Sequence, residues 1–119
     1  MLGSMLALVL AGQAVAQWLP VHEDAEATTS IDARSIRRAG PQRTVSVRTM
    51  FRSDPEAGGF IHDLELDCAG RRLRSVHETI LDARGERVID GPALSGSWTS
   101  PPDEAPFSAV LRRVCAEVG

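Results

Sequence analysis

The chain has 119 residues, with 13 Lys+Arg against 16 Asp+Glu for a formal net charge of −3, and every basic residue is an arginine. A weakly acidic chain with no concentrated basic face is not built to track phosphates, which argues against a nucleic-acid partner. With 43% apolar and 24% charged residues it is neither disordered nor fibrous, and its length suits one domain.

At the N-terminus the apolar run Met5 to Gly12 is followed by Ala14-Val15-Ala16, which reads as an export signal (residues 1–16) cut before Gln17. The run is too short for a membrane span, which takes about 20 apolar residues. Gln13 stands where a lipoprotein signal would carry its cysteine. A periplasmic or secreted protein is therefore expected, with no lipid anchor and no membrane span, whose mature domain is residues 17–119.

Within that domain Trp18 to His22 and Thr28 to Asp32 are short candidate strands, and Asp32-Ala33-Arg34-Ser35 is a turn or single helical turn. Gly40-Pro41 marks a loop. Thr44 to Arg52 alternates, with Val45, Val47, Thr49 and Phe51 on one side, and so predicts a strand. Ser53 to Gly59 is a connection.

Ala69-Gly70 then separates two alternating runs between Ile61 and Leu81, which predicts a hairpin. One register sets Asp67 opposite Arg72, Leu66 opposite Leu73, Glu65 opposite Arg74 and Leu64 opposite Ser75. A slip of one residue would destroy both the charge pairs and the leucine pair, so the sequence itself selects this register. Continued down the hairpin, it places His62 opposite His77. Asp82 to Gly85 makes a second turn and Arg87 to Asp90 a return strand.

Pro101-Pro102-Asp103-Glu104 introduces a helix, with acids near its positive end and Pro106 in its first turn. From Phe107, apolar residues recur at Val110, Leu111, Val114, Cys115 and Val118 as one helical stripe. Cys68 and Cys115 are the only cysteines, and an even count in an exported protein predicts that they are bonded. Closing that loop would stabilise the fold by about 4 kcal/mol. The fold class expected is α+β: a single antiparallel sheet of about five to six strands, with the C-terminal helix packed on one face and stapled by the disulfide.

Taken together, Trp18, Ser30-Ile31-Asp32, Ser35-Ile36, Gly40, Val45 to Thr49, Asp67-Cys68, Arg71-Arg72, Asp82 with Gly85, Trp98 and Val114-Cys115 resemble the surface-adhesin protein E-like domain. The resemblance implies an antiparallel sheet with a C-terminal helix, a disulfide between them and dimerisation. It also implies an extracellular or envelope protein ligand, since the adhesin that names the family binds extracellular-matrix proteins and plasminogen. The rival expectation is a periplasmic structural or envelope accessory protein.

Candidate sites are few. There is no Gly-x-Ser-x-Gly, His-Glu-x-x-His or glycine-rich phosphate loop, so neither an enzyme nor a cofactor is expected. His62 and His77 on one face form a candidate binding or pH-sensitive pair. Zinc would need a further ligand, and Glu78 and Asp63 are expected on the other face, so no metal is assigned. Arg71, Arg72 and Arg74 form a candidate basic patch, although Glu65 and Asp67 favour a self-neutralised hairpin face. Trp18 and Trp98 are expected in the core.

Overall fold

The computed structural model describes residues 15–54 and 56–116, so nearly all of the predicted export signal, and Val118 of the helical stripe, lie outside the described residues. Seven strands run in chain order: β1 (Trp18–Glu23), β2 (Ala27–Asp32), β3 (Arg37–Ala39), β4 (Gln42–Phe51), β5 (Gly59–Asp67), β6 (Arg72–Leu81) and β7 (Arg87–Pro92). Among the described residues one α-helix, α1 (Pro106–Ala116), follows them. The strands form one antiparallel sheet in the order β1-β2-β4-β5-β6-β7, with β3 pairing beside β2 along the same edge of β4.

A 3₁₀ turn, Ala33–Ser35, lets the chain pass from β2 to β3 without leaving that edge. Asp32 caps it by accepting from Arg34 N–H at 3.0 Å, and Ser35 Oγ donates to the Asp32 carbonyl at 2.7 Å. The same hydroxyl accepts from Ser46 N–H at 2.8 Å and ties the turn to β4. The strand β3 is the element the sequence did not announce, because its three residues are all exposed and too few to show alternation. It makes seven strands where five to six were expected.

The core lies between α1 and one face of the sheet. Ile31, Val45, Val47, Leu64, Leu66 and Leu73 from the strands meet Val110, Leu111 and Val114 from the helix, all at 5% exposure or less. The predicted alternation of β4 and the predicted stripe of α1 are the two surfaces that meet. Cys68, just past β5, is bonded to Cys115 in the last turn of α1, with Cα atoms 5.7 Å apart. At the start of β5 the strands approach so closely that a Cβ on Gly59 would overlap the Thr49 carbonyl oxygen. Only glycine fits there.

The β5–β6 hairpin keeps the predicted register from Asp67–Arg72 to Leu64–Ser75. It then departs from it. Val76 is an extra residue on β6, a bulge, so Asp63 faces His77 and His62 faces Glu78. The expected His62–His77 pairing is therefore corrected: the two imidazoles lie on opposite faces of the sheet. Glu78, expected on the other face from His62, shares its face.

Bulges also fall on both outer strands. Val21 is the extra residue of β1, next to Pro20, and Val88 is the extra residue of β7, which ends at Pro92. Proline and bulges on an edge strand interrupt the row of free backbone groups that another strand would need. Both edges of this sheet are thus blunted against strand addition.

Candidate binding surface

The helix is 11 residues long, or roughly 16 Å at about 1.5 Å per residue, whereas six adjacent strands span roughly 24 Å at about 4.8 Å spacing. The helix packs over β1 and β4, leaving part of the same face open towards β7. Across that open part runs an apolar row. The Phe51 and Phe60 rings meet edge-on at 5.7 Å, Phe60 faces Ile80, and Ile80 faces Ile89. Ile80 is 45% exposed, Ile89 61% and the nearby Leu94 99%.

Two hollows flank the row. One, of about 330 Å³, lies at the N-terminus of α1, floored by Phe51, Pro106 and Phe107 and lined also by Asp24 and Glu26. The other, of about 260 Å³, is formed by Ile80, Ile89 and Leu94 with Glu78 beside them. Single exposed apolar residues are ordinary, but a contiguous apolar row with polar margins marks a contact surface.

His62 joins this surface to the helix. Its ring packs edge-on against Phe107 at 5.5 Å and lies 5.9 Å from Phe60, and its Nε2 is 3.3 Å from Glu78 Oε2. Nδ1 is buried with no hydrogen-bond partner. Burial lowers the pKa of His62 from its ordinary 6.5, outweighing the opposing attraction of Glu78 and Asp63. Between that lowered value and 6.5 the unfolded chain binds more protons at this site than the folded chain. Stability should therefore be level above pH 6.5 and fall as the pH drops below it. Urea midpoints at several pH values would show this slope, and His62→Gln should flatten it; an unchanged slope in the variant would show that another group causes it.

The other two histidines have their own carboxylates. His22 Nε2 is 3.3 Å from Asp24 and His77 Nε2 is 3.5 Å from Asp90. No cluster of three or more His, Cys, Asp or Glu suited to a metal occurs among the described residues.

On the face away from α1, the predicted charge pairs of the hairpin are formed: Arg72 Nε–Asp67 Oδ2 at 2.9 Å and Arg74 Nε–Glu65 Oε1 at 2.6 Å. Trp98 is stacked under both guanidinium groups, 5.0 Å from Arg72 and 4.7 Å from Arg74. It is held there because Thr99 exchanges backbone hydrogen bonds with Leu73 at 2.8 and 2.9 Å. Arg48 lies 4.8 Å over Trp18 on the same side. Both tryptophans are half-buried under arginines, which corrects their expected place in the core. Arg71 sits at the turn, exposed and at a positive φ of 52°. The three arginines of the candidate basic patch thus divide: two are spent on local acids and one projects.

The model of the Surface-adhesin protein E family matches residues 18–116. The chain belongs to the surface-adhesin protein E family. The match runs from the first residue of β1 to the last of α1, so it takes in the whole sheet, the helix and both bonded cysteines. Among curated proteins and solved structures, none matches the chain. The disulfide fits the extracytoplasmic location that the family name implies. No helix among the described residues is long and apolar enough to cross a membrane.

The apolar row escaped the sequence reading. A signal for it existed: an amphipathic helix too short to cover the sheet must leave apolar residues of the far strands open. Phe51 and Phe60, Ile80 and Ile89 stand on those strands, but only the observed register aligns them.

Proposed function

We propose that the domain is an exported, non-enzymatic binding module that holds a protein ligand at the cell envelope or outside it. The observation that carries this reading is the family match across the entire sheet-and-helix unit. The chemistry of the side chains supports it. Both cysteines are bonded to each other, and each histidine places its Nε2 against a carboxylate rather than a serine, so none of these groups forms a nucleophile–base pair. The contiguous apolar row offers what a binding surface needs, desolvation energy at its centre with polar groups at the margin.

Surface plasmon resonance of the mature domain (residues 17–119) over immobilised extracellular-matrix and envelope proteins tests the reading. A saturable one-site response to at least one of them is expected, and it should be lost when the disulfide is reduced and the chain unfolded. Saturable turnover of ester, peptide or glycoside substrates by the same preparation would contradict it.

A further inference from the structure

Resting on that reading, we infer that the open half of the helix-side face docks an amphipathic helix of a partner protein whose apolar stripe is flanked by Lys or Arg. The row from Phe51 through Phe60 and Ile80 to Ile89 crosses four strands, or roughly 14 Å at about 4.8 Å per spacing. That is the length of nearly three helical turns at about 5.4 Å each.

The mode of docking follows from the rest of the sheet. An extended peptide would bind by adding a strand, but Pro20 with the Val21 bulge and Pro92 with the Val88 bulge blunt the two edges. The face itself already accepts a helix: α1 lies on it through Val110, Leu111 and Val114. The vacant half presents the same kind of surface beside it.

Charge selects the occupant. The hollows at the two ends of the row carry Asp24, Glu26 and Glu78, and no arginine lines either of them. Arg48, Arg72 and Arg74 are on the opposite face, stacked on Trp18 and Trp98. An apolar row between acidic ends favours a helix with basic flanks. A second copy of this chain laid face to face would set these acids against their own counterparts, which is unfavourable.

The test uses two designed peptides of about four helical turns, identical in their leucine stripe, one flanked by lysines and one by glutamates. Each is titrated into the isotope-labelled mature domain and followed by amide chemical shifts and by calorimetry. The lysine peptide should bind and shift the amides of Phe60, Ile80, Ile89 and Leu94, and the glutamate peptide should not bind. Ile89→Glu and Leu94→Glu, at positions exposed enough to leave the fold intact, should each weaken binding at least tenfold while the rest of the amide spectrum is retained. Equal binding of both peptides, shifts confined to the Trp98 face, or unchanged affinity in both variants would overturn the inference. So would a dimer in light scattering that Ile89→Glu dissolves, since a second copy would then occupy the face. An extracellular protein that binds the wild type and Ile89→Glu equally well would leave the binding module standing and overturn only the site assigned here.

Discussion

Replacing Cys68 and Cys115 together by alanine should lower the free energy of unfolding by about 4 kcal/mol. The two cysteines are 47 residues apart, so the bond removes a long loop's worth of freedom from the unfolded chain. For a domain of this size such a loss corresponds to a fall in melting temperature of roughly 15–25 °C. It is a large share of the stability of about 5–15 kcal/mol typical of small domains. The bond joins the last turn of α1 to the turn after β5, so without it the helix loses its covalent staple and relies on non-covalent packing such as that of Val110, Leu111 and Val114. Amide exchange should then accelerate first at the C-terminal end of α1. A loss below about 1 kcal/mol in urea unfolding would show that the bond is incidental to the fold.

Leu66→Ala should cost about 3–4 kcal/mol. Leu66 is fully buried on β5, faces Leu73 on β6, and belongs to the cluster that α1 covers. Its truncation leaves a void beneath a helix that the disulfide fixes in place, so the gap cannot close by a shift of the helix end. Ile89→Ala, on the same face but 61% exposed, should change stability by less than about 0.5 kcal/mol. The contrast separates the covered half of the face from the open half. Equal costs at the two positions would mean that the open row is packed in solution.

The legibility of the fold followed from how many residues each feature had to speak through. The register at the tip of the hairpin could be read because two charge pairs and a leucine pair all agreed on it. Four residues further on it failed at Val76, because a bulge adds one residue without changing the type of residue present. The placing of His62 and His77 failed with it. The core faces of β4 and α1 were legible because burial imposes their periodicities, whereas Arg37–Ala39 had no buried residue to leave a pattern. Trp98 was misplaced for a different reason. Its position depends on Thr99 pairing with Leu73, a contact between distant segments, and its partners Arg72 and Arg74 had already been matched with acids. The open apolar row needed three registers at once, and two of them contain a bulge, at Val76 and at Val88.

A sheet and helix joined by sulfur suit a chain exported to an oxidising compartment, so the bond and the export can be tested together. Intact mass of the protein recovered from its native envelope or medium, alkylated with and without prior reduction, tests this most directly. The expected result is a chain beginning at Gln17 that takes up no alkyl group unreduced and two after reduction. A chain retaining residues 1–16, or one that is alkylated twice without reductant, would contradict it.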